Sequence, residues 1–175
     1  MPMPVTSSPA LPIAYVALRI LIVMNWVSGA AIVTLLVAMP TKQWIMSALS
    51  VPPSPEADRL ILGLHAIAVV GLAAIPLNYA FLKQMLAIVG TVRAGAPFVA
   101  ANARRLQTIA WTLLGLQLLS IVIGAIAKTV STPAHPLNLD AGFSINGWLA
   151  VLLTFLLARV FAEGTHMRED LEGTV

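Results

Sequence analysis

Cysteine is absent from this 175-residue sequence, and charge is scarce. Without cysteine there is neither a disulfide framework nor a thiolate metal site. Only 10% of the residues are charged and 59% are hydrophobic, where a soluble domain carries about 25% and about 45–50%. Most side chains must therefore face something other than water. The HExxH, GxSxG and phosphate-loop signatures are missing too, and no carboxylate pair lies inside an apolar run. No enzyme chemistry, cofactor or metal is expected on these grounds. Haem is excluded by depth, because bis-histidine ligation needs two histidines at matching levels of neighbouring helices. His65 lies near one end of a run, whereas His135 and His166 fall in a loop and in the C-terminal tail. An outer-face site of His65, His135 and Asp140 is the weaker reading, since loop histidines are ordinarily solvated.

What the sequence has in abundance is long uncharged runs bounded by charges. Arg19 and Lys42 enclose one, Arg59 and Lys83 the next, Arg105 and Lys128 a third, and Asp140 and Arg159 a fourth. Each is close to the roughly 20 residues that cross a hydrocarbon core as a helix at about 1.5 Å per residue. The backbone must satisfy its own hydrogen bonds in lipid, and these runs do not alternate as barrel strands do. The reading is an all-α integral membrane four-helix bundle in a single domain, 1–175, with spans at 13–39, 60–82, 106–127 and 146–162. The first run lacks a basic leader and a good cleavage site, so it is expected to stay as a span. Pro76 should kink the second span or be repaired by a neighbouring helix. The segment 40–58 holds a Pro-Pro-Ser-Pro stretch that cannot continue a helix, and Trp44 suits the headgroup layer.

Charge sets the orientation. Arg19, Lys83, Arg93, Arg104, Arg105, Arg159 and Arg168 fall on one side, and Lys42, Arg59 and Lys128 on the other. The side rich in Lys and Arg is the cytoplasmic one, which places both termini inside the cell. The net charge of +3 then reads as a topology signal and not as a nucleic-acid patch.

The segment 83–105 stands out as a basic hairpin between the second and third spans. Its first arm still reads as helix beyond Lys83, and Pro97 is a favourable first position for the next helix. Such extensions would carry the hairpin about 14 Å past the hydrocarbon. Gly95 suits a left-handed turn. Phe98, Asn102, Leu106 and Ile109 share one face at helical spacing. The tail 163–175 is acidic, with Glu169 and Asp170 in it, and is expected to lie beside the hairpin arginines. Exposed ion pairs of that kind contribute only about 0–1 kcal/mol each. The candidate partner-binding residues are Arg93, Phe98, Asn102, Arg104, Arg105, Glu169 and Asp170. The intramembrane polar residues are Asn25, His65, Asn78 and Gln117. Asn25 and Asn78 lie at similar depth and can bond across the first two spans, a structural role worth about 0.6 kcal/mol on average. Gln117, mid-span, is expected to bond a neighbouring helix.

The stretch RAGAPFVAANARRLQTIAW, with its Gly-x-Pro-Phe turn, Asn102 and following Arg-Leu, resembles the bacterial family known as domain of unknown function 2975. So does the ending LLARVFAEGTHMREDLEGTV. The resemblance implies a small inner-membrane protein with four spans and cytoplasmic termini, and it brings no established activity. It also implies a helix-turn-helix regulator as a cytoplasmic partner, and hence a regulatory role. Two other readings compete with that one. The bundle can bind a lipid, quinone or small hydrophobic ligand, or serve as an accessory subunit of a larger membrane complex. Small residues along the spans would also suit a homo-oligomer.

Overall fold

A computed structural model describes residues 10–38, 55–131, 137 and 139–172. Within them the chain forms α1 (Ala10–Ala38), α2 (Pro55–Arg93), α3 (Ala100–Val130) and α4 (Ile145–Glu172). All four are long and apolar enough to cross a membrane. The Pro-rich 40–54 segment and His135 lie outside the described residues.

The helices pack antiparallel in chain order, α1 on α2, α2 on α3 and α3 on α4. Among the described residues the backbones of α1 and α4 come nowhere within 8 Å of each other, so the bundle is open. Lipid tails are as apolar as leucine, so association here rests on packing and interhelical hydrogen bonds and not on burial from water. That is why α1 leaves Val23, Val27 and Val37 more than 60% exposed and still holds its place.

Close packing rests on small residues. Gly29 of α1 sits against Ile75 of α2, Gly63 of α2 against Val130 of α3, and Gly115 of α3 against Leu77. Leu106, Ile109 and Ala158 form the buried cluster near the turn end, with Phe81, Met85, Ile88 and Phe161 around it.

α2 runs unbroken through Pro76. At that level Asn25 Nδ2 of α1 donates to the Ile75 carbonyl at 3.1 Å, whereas the carbonyl that Pro76 deprives of an N–H is that of Leu72, four residues earlier. The expected Asn25–Asn78 bond is therefore replaced by a bond one turn away, to backbone. A carbonyl beside a proline is a fixed acceptor, whereas a second carboxamide must also be oriented. The Asn78 side chain makes no hydrogen bond among the described residues.

Two expected boundaries move. α3 begins at Ala100 with Val99 as its N-cap, and not at Pro97, because the Pro97 carbonyl is turned to the Asn102 side chain. At the other end, α4 continues to Glu172, so most of the acidic tail is an extension of the fourth helix.

Candidate functional site

The turn between α2 and α3 is closed by its own backbone. Gly95 has φ of +76°, a left-handed conformation that costs glycine nothing. Around it the Ala96 amide donates to the Thr91 carbonyl at 3.0 Å and the Gly95 amide to the Val92 carbonyl at 3.0 Å. This paired Schellman arrangement satisfies carbonyls that α2 would otherwise leave open.

Asn102 then ties α3 to that turn. It is completely buried. Its Nδ2 donates to the Thr91 hydroxyl at 2.8 Å and to the Pro97 carbonyl at 2.8 Å. Its Oδ1 accepts from Arg105 at 2.8 Å, and Arg105 also reaches the Ala87 carbonyl at 3.3 Å. Thr91 has a single hydroxyl proton, which goes to the Ile88 carbonyl at 2.8 Å. Every polar group of the carboxamide is thus matched, the condition for a buried network to stabilise and not to penalise.

The other cations of this end divide into committed and free. Arg93 at the end of α2 and Arg19 of α1 each place a guanidinium 5.0 Å from the Tyr15 ring centroid. Arg19 also donates to the Tyr15 hydroxyl at 2.9 Å. The Arg93 contact docks the start of α1 onto the end of α2. Phe98, half exposed, stacks on Phe161 of α4 with centroids 5.4 Å apart. The start of α1, the turn and the late part of α4 therefore share one end of the molecule.

Lys83, Arg104 and Arg159 have no side-chain hydrogen bond or ion pair among the described residues. Arg104 and Arg159 face one groove of 330 Å3 between α3 and α4, lined also by Gln107, Phe155 and Ala158.

Not all the residues proposed from sequence are brought together as contacts. Phe98 and Arg104 are accessible, and Arg93 is exposed but engaged with Tyr15. Asn102 and Arg105 hold the turn from within and offer a partner little. Glu169 and Asp170 lie on the helical backbone of α4, and their side chains are outside the described set. Among the described residues α4 meets the hairpin through rings, Phe98 on Phe161. Thr91, Tyr15 and Phe161 were not singled out from sequence. A threonine one turn before a Gly turn, facing an Asn, was the available signal for Thr91.

Towards the middle of α3, Gln117 is buried and its Nε2 meets the Gly142 carbonyl at 3.5 Å. Ser120 grips the same residue, accepting from the Gly142 amide at 3.1 Å. Gly147 of α4 packs against the Gln117 carboxamide. His65 Nδ1 lies 2.8 Å from the Ile61 carbonyl, a bond that suits the Nδ1–H tautomer. No cluster of ligating residues surrounds it among the described residues.

Comparison with known proteins agrees with the geometry. Residues 17–175 match a family model described as a protein of unknown function (DUF2975). No curated protein and no solved structure matches the chain. With four helices able to span a membrane and a family match over nearly its whole length, this multi-pass membrane protein belongs to the DUF2975 family.

Proposed function

We propose that this chain is a non-enzymatic regulatory protein of the bacterial inner membrane that holds a cytoplasmic partner at its basic turn. The observation that carries the proposal is the construction of that turn. Asn102, Thr91 and Arg105 lock its backbone from inside, while Phe98 at the tip stays 51% exposed. A preordered surface loses less entropy on docking than a mobile loop, and an exposed aromatic beside an unpartnered arginine is the composition of a binding hot spot.

The orientation rests on charge. Arg19, Lys83, Arg93, Arg104, Arg105 and Arg159 gather at the turn end, against Arg59 and Lys128 at the other, which favours a cytoplasmic turn and cytoplasmic termini. The partner fitting the family resemblance is a helix-turn-helix regulator, held as a protein and not through nucleic acid. We also propose Glu169 and Asp170, acidic residues of the C-terminal segment, as contacts for that partner.

Co-purification tests the reading. A helix-turn-helix regulator expressed with the full chain should be retained on membranes with the parent protein. Phe98→Ala combined with Arg104→Glu should lower that retention by at least tenfold while membrane insertion is unchanged. Retention at parental level would remove the proposal.

A further inference from the structure

The groove between α3 and α4 shares Arg104 with the proposed docking surface and adds Arg159, Gln107 and Phe155, which docking does not use. Arg104 and Arg159 come from facing helices, point into one cavity and lack a carboxylate partner among the described residues. Glu163, one turn beyond Arg159, is exposed and forms no ion pair with either. Two guanidiniums converging without an anion repel each other, and desolvation at a membrane edge strengthens that repulsion. The fork geometry of arginine is suited to a phosphate.

From the groove onward, the surface is graded along the helix axis, with Trp111 just beyond the groove lining. Arg104, Gln107 and Trp111 follow one another on one face of α3 at spacings of three and four residues. Arg104 directly precedes Arg105, which bounds the third apolar span at its basic edge. Gln107, exposed and one turn deeper, offers an amide. Phe155 of α4 meets Trp111 edge-to-face at 5.2 Å, and Trp111 is 57% exposed on the apolar side. Cations, then an amide, then aromatic hydrocarbon is the order of phosphate, glycerol ester and acyl chain in a phospholipid. The volume of 330 Å3 lies at the low end of the roughly 300–1,000 Å3 typical of small-ligand sites, enough for a headgroup whose tails continue into the bilayer.

We infer that this groove binds the phosphate of one anionic glycerophospholipid, with Arg104 and Arg159 on the headgroup, Gln107 at the ester level and the Phe155–Trp111 pair against the chains. The site goes beyond partner docking and does not depend on it, since Arg159 has no part in that proposal.

The test uses the purified full chain in nanodiscs of equimolar dioleoylphosphatidylglycerol and dioleoylphosphatidylcholine, with retained lipid read by native mass spectrometry. One phosphatidylglycerol should be kept in preference to phosphatidylcholine. Each of Arg104→Gln and Arg159→Gln should weaken that preference about fivefold, and the two together roughly thirtyfold. Lys83→Gln, removing a cation of the same end that does not line the groove, should leave it unchanged. An equal loss in Lys83→Gln would reduce the effect to diffuse surface charge and overturn the site. So would displacement of the lipid by millimolar inorganic phosphate, which would make the ligand a free anion.

Should the double variant fail to fold, the parent protein still decides. Brominated phosphatidylglycerol should quench Trp111 emission, taken as the difference between parent and Trp111→Phe, more than brominated phosphatidylcholine does. Equal quenching would refute the assignment. Arg159→Gln also separates the two proposals, because it should lose lipid while keeping the cytoplasmic partner.

Discussion

Asn102 and Gln117 are both buried carboxamides on α3, one near the turn and one further along the helix, yet they stand in opposite situations. Asn102 has every polar group matched at 2.8 Å, to Thr91, Pro97 and Arg105. Gln117 has one contact, at 3.5 Å, to the Gly142 carbonyl. Nearby, the Trp148 indole N–H is buried with no acceptor among the described residues. The turn end is thus held by a directed hydrogen-bond network, and the connector mainly by fit around the Ser120–Gly142 bond, with Gly124 pressed on its backbone and Gly147 on Gln117. In the proposed orientation the turn meets water and a partner, and there it needs a defined shape without lipid around it. A connector pressed between helices can take its shape from them.

The largest effect should come from breaking the bonded end. Asn102→Leu removes three interactions and leaves the Pro97 carbonyl and the Arg105 guanidinium without their partner. An unsatisfied buried group costs about 1–3 kcal/mol, so a loss of roughly 3 kcal/mol is expected. Thermal unfolding in detergent followed by circular dichroism measures it, and a change below about 1 kcal/mol would mean that the network is not what holds the turn.

Fit should be nearly as costly to disturb at the other end. A methyl group at Gly124 would lie 2.7 Å from the Ala141 carbonyl oxygen and 2.7 Å from the Gly142 Cα. Backbone cannot swing aside as a side chain can, and overpacking of this kind costs about 1–3 kcal/mol. Gly124→Ala should therefore lower stability by about 2 kcal/mol. Gly90→Ala, where nothing lies within 4 Å, should be neutral or stabilise by up to about 1 kcal/mol through helix propensity. Equal unfolding temperatures for the two variants would contradict the packing described for the connector.

Much of this contrast was legible before any coordinates, though unevenly. Charge spacing pointed to four apolar helices, which the structure has, because a charge inside hydrocarbon is costly and so marks where hydrocarbon ends. The depth of Asn25 pointed to a bond between the first two helices, and the structure has that bond. Its acceptor, the Ile75 carbonyl, was hidden because every helical residue offers a carbonyl and spacing alone does not rank them. Asn102 was placed on the right helical face and given the wrong task, since a buried staple and an exposed contact share the same periodicity. Which arginine is committed and which is free was beyond the sequence. Arg104 and Arg105 are neighbours there, and a rotation of about 100° around the helix sends one to the turn and the other to the α3–α4 groove.

The smallest expected effect is the one that tests the comparison most sharply. Gln117→Leu keeps the approximate bulk that Gly147 packs against and removes the amide that meets Gly142. If the outer part of α3 is held by fit, the loss should be near the roughly 0.6 kcal/mol typical of a single hydrogen bond between membrane helices. The leucine can even offset it by sparing a buried carboxamide. Ser120 still holds the Gly142 amide at 3.1 Å, so the connector keeps a hydrogen-bonded anchor. Unfolding of Gln117→Leu alongside Asn102→Leu gives the answer as a ratio that errors in either absolute value affect little. A loss from Gln117→Leu as large as that from Asn102→Leu would mean that Gln117 carries a directed bond much stronger than its 3.5 Å contact suggests, and the division between a bonded end and a fitted end would fall.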